Sequence, residues 1–189
     1  MSGFGPGERL LFKAKEGSGI NQRTELTSNF FPGGILIMFQ VAAIQITPIL
    51  GDVQANLKRG LQMMHQVAEE ADLVVFPELW TTGYYLSKQV FSELAETIDG
   101  ETIRQLKEVA KETNSIIVSS FAEKDNEGRL FIAAAIIDKT GELLGVVRKS
   151  LLWARESEIF AMGDIRYPLF ETDLAKIGVL ICYEMEFPE

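Results

Sequence analysis

The single cysteine of the chain stands where a nucleophile could act. Cys182 follows residues 177–181, an apolar run rich in branched side chains that is typical of a buried strand. In α/β proteins, reactive groups gather at the carboxyl ends of strands, where the chain leaves the core. Cys182 is therefore a candidate nucleophile, and the alternative is a small buried apolar residue without chemistry.

A nucleophilic thiol needs a base to take its proton. The only histidine, His65, lies off the apolar stripe of a predicted helix, which indicates a solvated or half-buried helix residue. The base must then be a carboxylate or a lysine. Glu78 is a candidate because it follows Pro77, which stops a predicted buried strand, and its alternative is an ordinary solvated acid.

Two cations, Arg148 and Lys149, end another predicted strand. A lysine ammonium is a compact charge that suits an oxyanion forming on a substrate, whereas the alternative for either side chain is a solvated surface cation. The irregular segment 150–164 follows and contains Glu156 and Glu158. Long ordered loops of this kind belong to sites more often than to scaffolding.

The elements that carry these residues predict an α/β fold with a mixed sheet. We expect strands at 39–46, 71–76, 115–121, 130–137, 143–147 and 177–181, and helices at 52–70, 87–97 and 102–113. A strand–helix–strand pattern comes first and a strand–hairpin–strand pattern follows it, which together imply the mixed sheet. The aromatic residues Trp80 and Tyr84 follow Glu78 and are expected to line a substrate pocket.

Composition limits the possible partners. The 189 residues carry a net charge of −9, which favours one main globular domain and leaves no basic surface for nucleic acid. One cysteine and one histidine exclude an internal disulfide and a Cys/His zinc cluster, and they favour a cytoplasmic location. The uncharged stretch 26–51 is interrupted by proline, glycine and glutamine, so we expect no membrane segment.

The first part of the chain differs from the rest. Residues 1–37 are rich in Gly, Ser, Asn and Pro and show no sustained hydrophobic period, which predicts a flexible N-terminal extension. Met38 directly precedes the first expected core strand. The folded unit is therefore expected to cover residues 38–189.

Three blocks of the sequence together resemble the signature blocks of the nitrilase, or carbon–nitrogen hydrolase, superfamily. They are the segments Phe-Pro-Glu-Leu-Trp around Glu78, Arg-Lys at Lys149 and Ile-Cys-Tyr-Glu-Met-Glu-Phe-Pro-Glu around Cys182, in the family's order and at its separations. The resemblance covers the chain from about residue 39 to its end. It implies an α-β-β-α sandwich that commonly forms dimers, so we expect a homo-oligomer.

The resemblance also implies a role for each residue. Glu78 is the base, Lys149 stabilises the tetrahedral oxyanion, and Cys182 attacks the carbon of a small amide or nitrile. Glu156 falls on the position of the family's second glutamate, and the backbone N–H of Tyr183 is expected to help hold the oxyanion. Such a Glu-Lys-Cys triad needs no metal or organic cofactor. A cation beside the thiol is expected to lower its pKa.

Three departures from the family's pattern accompany the resemblance. Leu151 stands where many relatives have histidine, Glu186 stands where many have arginine, and the chain stops at Glu189 whereas relatives continue. We therefore expect the N-terminal part of a carbon–nitrogen hydrolase domain, with its C-terminal part missing. The block around Glu78 resembles small-amide hydrolases, including ω-amidase-like members, so an amidase is expected. The alternative is a truncated, inactive homologue that serves as an assembly partner or is a gene fragment.

Overall fold

A six-stranded mixed sheet forms the centre of the fold in the computed structural model, which describes residues 22–27, 38–68 and 70–187. Its strands are β1 (Gln22–Thr27), β2 (Met38–Ala43), β3 (Leu73–Val75), β4 (Ile116–Lys124), β5 (Leu130–Ile137) and β6 (Leu143–Arg148), and they lie side by side in this order. The pairs β2–β3 and β3–β4 are parallel, and the other pairs are antiparallel. The predicted α/β fold with a mixed sheet is confirmed.

Three helices connect the strands, close to their predicted positions: α1 (Val53–Ala68), α2 (Lys88–Leu94) and α3 (Glu101–Thr113). Side-chain caps start two of them. The Asp52 carboxylate accepts the N–H of Ala55 at 3.0 Å, and the Ser87 hydroxyl accepts the N–H of Val90 at 3.3 Å. At the end of α3, Asn114 adopts the left-handed conformation that commonly terminates helices.

The main core lies between one face of the sheet and the helices α1 and α3. It contains aliphatic and aromatic side chains from the sheet, from both helices and from the segment after β3. Among them are Leu57, Met64, Val74, Trp80, Ile103, Leu106, Ile117 and Phe121. On the opposite face, Ile132 and Ala134 of β5 pack with Phe91 and Phe160 in a second cluster. Every residue of β5 is buried because both of its faces are covered, which explains its continuous apolar sequence.

The strand predicted at 177–181 is shorter and more exposed than expected. It is β8 (Lys176–Gly178), which pairs with β7 (Leu169–Glu171) in a separate two-stranded antiparallel sheet. Of the five residues in the predicted run, only Ile181 is buried, so the prediction of a buried strand is wrong. Ile177 and Val179 pack inward, whereas Gly178 and Leu180 face solvent, because within the described residues only one side of β8 has a packed layer.

The expectation for the start of the chain lies mostly outside the described residues. Within the stretch predicted as a flexible extension, Gln22–Thr27 form β1 and pair with β2 along its whole length. The domain boundary at residue 38 remains a prediction. None of the helices in the described part of the chain has the length and apolar character needed to cross a bilayer.

Gly60 in α1 tests the packing that holds the segment after β3. A Cβ atom at this position would lie 2.1 Å from the six-membered ring of Trp80, which is fully buried. Gly60→Ala gains about 1 kcal/mol of helix propensity, but overpacking a rigid indole costs about 1–3 kcal/mol. We expect a net loss in the free energy of unfolding, measured with urea. Gln62→Ala on the exposed side of α1 is the control, and a more stable Gly60→Ala variant would contradict the packing described.

Candidate active site

Strand direction brings two of the predicted site residues to the same end of the sheet. β3 and β4 are parallel, and the two antiparallel pairings that follow make β6 run in the same direction as β3. Glu78, shortly after β3, and Lys149, directly after β6, therefore leave the sheet at the same end. Their strands are not neighbours in the sheet, because β4 and β5 lie between β3 and β6.

A buried ammonium connects these two strand ends. The Lys149 side chain is fully buried, and its Nζ donates to Glu78 Oε1 and to Glu156 Oε1, both at 2.8 Å. The hydroxyl of Tyr84 donates to the same oxygen of Glu156 at 2.5 Å. Three of the predicted catalytic residues and one predicted pocket residue thus form one hydrogen-bonded network.

Electrostatics keep this network in one protonation state. Burial alone would lower the pKa of Lys149, but hydrogen bonds to Glu156 and Glu78 and their negative charges outweigh it, so the pKa is raised. The pKa of Tyr84 is raised by burial, by its hydrogen bond to Glu156 and by the nearby negative charges. Lys149 is therefore a cation and Tyr84 a neutral donor at neutral pH.

Cys182 lies near this network. It is exposed, it opens a short three-ten helix (Cys182–Glu186), and its pKa responds to Glu78, Lys149 and Glu156. Burial of the sulfur raises the pKa most, and the charge and hydrogen bond of Glu78 add to it, while Lys149 opposes them. The pKa is raised overall, so the expected lowering is wrong. Burial of the sulfur is the main reason, and the charge of Glu78 raises the pKa by more than the charge of Lys149 lowers it.

The backbone is strained at all three site segments. Among the described residues, four non-glycine residues have positive φ, and three of them are Leu79 (48°), Ala154 (48°) and Cys182 (53°). Leu79 follows Glu78, Ala154 precedes Glu156 by two residues, and Cys182 is the candidate nucleophile. Each such residue costs about 1–3 kcal/mol, and strain of this kind clusters at functional sites.

Two adjacent serines of β4 hold the turn after Glu78 from both faces of the sheet. The Ser120 hydroxyl accepts the N–H of Leu79 at 3.2 Å, and the Ser119 hydroxyl accepts the indole N–H of Trp80 at 2.9 Å. Successive residues of a strand point to opposite faces, so the two bonds lie on opposite sides of β4. The sequence offered no signal for these serines, since they lie inside an ordinary strand.

Trp80 differs from its predicted role as a pocket residue, whereas the role of Tyr183 is untouched by its position. Trp80 is fully buried and stacks on Phe76 with ring centroids 4.4 Å apart, so it belongs to the core, and the pocket prediction is wrong for it. An aromatic residue next to a candidate acid in the sequence does not reveal whether its ring packs into the core or lines a pocket. Tyr183 is half-buried, and its ring meets the edge of Phe187. The expected role of its backbone N–H stays a prediction.

Glu184 is a buried acid near the nucleophile to which the sequence analysis gave no role. Its Oε1 accepts the N–H and the hydroxyl of Ser150 at 2.8 and 2.6 Å, and its Oε2 accepts the N–H of Ile181 at 2.7 Å. The sequence alone contained no signal for this role, because the strain at Ala154 and Cys182 is seen only in the structure. In the structure, Glu184 stands two residues after Cys182 and Glu156 stands two residues after Ala154, so both strained turns have an acid at the same offset.

A cavity of about 720 Å³ lies beside β5 and β6, and no residue of the network lines it. Four of its charged side chains form two pairs: Arg148 donates to both oxygens of Glu123 at 2.7 and 2.5 Å, and Arg129 donates to Asp125. In the described part of the chain, no cluster of three or more histidine, cysteine or acidic side chains is arranged to hold a metal ion.

Comparison with known proteins identifies the family of the chain. Residues 40–189 match the carbon–nitrogen hydrolase family. The chain is 36% identical over 154 residues to "Hydrolase in pqqF 5'region" of Pseudomonas protegens, covering 79% of this chain and 53% of that protein. It is 30% identical over 163 residues to the omega-amidase NIT2 of Xenopus tropicalis, covering 80% of this chain and 57% of the relative. The chain thus spans just over half the length of these relatives.

The fold also matches solved structures of amidases. A cysteine-to-alanine mutant of the amidase from Nesterenkonia sp. AN1, in complex with butyramide, aligns with a TM-score of 0.70 at 25% identity. The alignment covers 78% of this chain and 57% of that one. Because the family match extends over most of the chain and includes all three site segments, the chain belongs to the carbon–nitrogen hydrolase family.

Proposed function

We propose that this chain carries the catalytic centre of a small-amide amidase, with Cys182 as the nucleophile. The observation that carries the proposal is the buried Lys149 held between Glu78 and Glu156, with Cys182 close enough for the same Glu78 to raise its pKa. An acceptor for a proton, a donor for an oxyanion and a thiol at one point are the groups that acyl transfer from an amide requires.

The first half of the reaction forms a thioester. Glu78 takes the thiol proton as the sulfur of Cys182 attacks the amide carbon, and the carbonyl oxygen becomes an oxyanion. An ammonium has three N–H donors, and within the described residues Lys149 uses two of them for Glu78 and Glu156. The third donor serves the oxyanion. Glu78 then passes its proton to the amide nitrogen, the C–N bond breaks, and ammonia leaves.

The second half releases the acid. Glu78 takes a proton from water, the hydroxide adds to the thioester carbon, and Lys149 holds the second oxyanion. The C–S bond breaks, the carboxylic acid departs, and the proton returns to the sulfur of Cys182. The sum is amide plus water to acid plus ammonia, and every group of the site ends as it began.

The raised pKa of Cys182 fits general-base catalysis. A thiol that stays protonated at neutral pH attacks only when its proton is taken in the same step, and Glu78, whose charge raises the pKa of the thiol, is the proposed acceptor. Glu156 and Tyr84 do not touch the thiol proton in this scheme. They orient Lys149, since Glu156 binds Nζ and Tyr84 fixes the binding oxygen of Glu156.

A small amide is the proposed substrate, and a nitrile is the second possibility that the family offers. Support for the amide comes from relatives named as amidases and from the butyramide complex of a structural neighbour. We also propose that the protein forms a dimer and is located in the cytoplasm. The competing proposal is an inactive homologue that acts as an assembly partner, and the exposed Cys182 favours it.

Hydrolysis of butyramide separates the two proposals. We expect the wild-type chain to release ammonia and Cys182→Ala to release none, because the thioester cannot form. Glu78→Gln is expected to lower kcat by about 10²–10⁴, as for loss of a general base, while Glu93→Gln on the exposed side of α2 is the matched control. Equal ammonia release by wild type and Cys182→Ala would refute the amidase, and a folded wild type without release would favour the inactive homologue.

Alkylation of the single cysteine measures the electrostatics of the site directly. Because the pKa of Cys182 is raised, the rate with iodoacetamide is expected to increase with pH through a midpoint above that of a free cysteine peptide. Glu78→Gln removes a negative charge and is expected to lower the midpoint, whereas Lys149→Met removes the opposing cation and is expected to raise it.

The control for this measurement is Lys88→Met, which removes an exposed cation of α2 and is expected to leave the midpoint unchanged. A wild-type midpoint at or below that of the free peptide would show that the charge of Lys149 outweighs burial and the carboxylates in setting the pKa of Cys182. That result would contradict the charge balance described above.

A further inference from the structure

The two loops that carry Glu156 and Cys182 are built alike. Each is a five-residue three-ten helix, Ala154–Glu158 and Cys182–Glu186, and each opens with a residue of positive φ, 48° and 53°. In each helix the third residue is a buried glutamate. The repeated construction indicates that the two glutamates have comparable tasks.

One oxygen of each glutamate closes its own loop. Glu156 Oε2 accepts the N–H of Trp153, the residue before its helix, at 2.7 Å. Glu184 Oε2 accepts the N–H of Ile181, the residue before its helix, also at 2.7 Å. A carboxylate at this position fixes the entry of the chain into the turn and offsets the strain of the left-handed residue that follows.

The other oxygen of each glutamate reaches the same dipeptide. Glu156 Oε1 binds the ammonium of Lys149, and Glu184 Oε1 binds the backbone N–H and the hydroxyl of Ser150 at 2.8 and 2.6 Å. Among the described residues, no cation lies within ion-pair distance of Glu184, although only 3% of it is exposed. Three hydrogen bonds therefore hold a buried carboxylate whose only described partners are two segments of the site.

We propose that Glu184 is a positioning residue that couples the nucleophile loop to the lysine segment. Ile181 is bonded covalently to Cys182, and Ser150 to Lys149, so one carboxylate sets the distance between the thiol and the ammonium. Glu184 acts through these neighbours and touches neither reacting group. The proposal deepens the proposed function, because it rests on Cys182 and Lys149 as its working groups.

The chemistry of the bridge makes it sensitive to small changes. All three partners of Glu184 are donors, and a carboxylate offers only acceptors. Glu184→Gln keeps the shape of the side chain but places an amide N–H group opposite the donors of either Ser150 or Ile181. The hydrogen bonding on that side of the bridge is therefore lost. Glu186→Gln is the matched control, because it makes the same charge change on an exposed residue of the same three-ten helix.

The test is a double-mutant cycle read out by iodoacetamide alkylation of Cys182 across pH. In the background with native Glu184, Lys149→Met is expected to slow alkylation at neutral pH about tenfold, because a nearby cation changes the thiolate fraction by that order. In the Glu184→Gln background the same substitution is expected to slow it less than about twofold, because the ammonium no longer lies at a fixed distance from the sulfur. An equal factor in both backgrounds overturns the proposal.

Further variants keep the test decisive when a protein does not fold, as judged by circular dichroism. Ser150→Ala removes one of the three bonds and is expected to reduce the Lys149→Met factor partially, whereas Tyr167→Phe, which alters the other contact of that hydroxyl at 3.1 Å, is expected to leave it intact. If Lys149→Met is unfolded, Glu78→Gln takes its place in the cycle. A full factor in Ser150→Ala and Glu184→Gln alike overturns the proposal.

This experiment uses no amide, so its outcome is separate from that of the hydrolysis assay. Loss of coupling in Glu184→Gln supports the positioning role even where butyramide is not hydrolysed. Hydrolysis with unchanged coupling would leave the amidase standing and remove Glu184 from its proposed task.

Discussion

A fully buried ammonium between two carboxylates is the interaction on which the site depends. Lys149 has no exposed side-chain surface, and an unpaired charge in such a position is strongly destabilising, by about 3–5 kcal/mol when one partner of a buried pair is removed. The fold therefore has to deliver Glu78 and Glu156 to the same point. It does so with parallel-running β3 and β6, which end on one side of the sheet, and with a short turn that carries Glu156 back over the end of β6. The geometry of the site and the burial of its cation are thus one structural requirement.

Burial of the sulfur and the charge balance around Lys149 together explain why the thiol is not preionised. Lys149 contributes one positive charge and its two carboxylate partners contribute two negative ones, so the sulfur of Cys182 lies in a field that disfavours the thiolate. A site of this kind differs from one in which a thiolate–imidazolium pair is formed before the substrate arrives. In the proposed mechanism, its reactivity appears only when an electrophilic carbon is present to accept the sulfur while Glu78 accepts the proton. Adventitious alkylation and oxidation, which need a thiolate, are disfavoured in the resting protein.

Much of the fold could be predicted because its signals are local. Apolar periodicity and turn residues located β4, β5, β6 and the three helices, and Glu78, Lys149 and Cys182 were found because each follows an apolar run. The wrong predictions concern features that depend on contacts between distant parts of the chain. The burial of β8 depends on a layer against its outer face, the packing side of Trp80 depends on Gly60 in α1, and the pKa of Cys182 depends on where two carboxylates lie relative to Lys149. Glu184 was missed for the same reason, since its partner Ser150 lies 34 residues earlier in the chain.

The two serines of β4 have an evolutionary consequence. Ser120 holds the backbone of Leu79 on one face of the sheet, and Ser119 holds the ring of Trp80 on the other, so the turn that presents Glu78 is attached to β4 on both faces. The exposed side chain of Tyr85 in the following loop can therefore vary without displacing Glu78. Under the proposed function, selection on which amide is accepted and selection on how its bond is broken would act on separate stretches of the chain, an arrangement that lets a scaffold diversify its substrates while it keeps its chemistry.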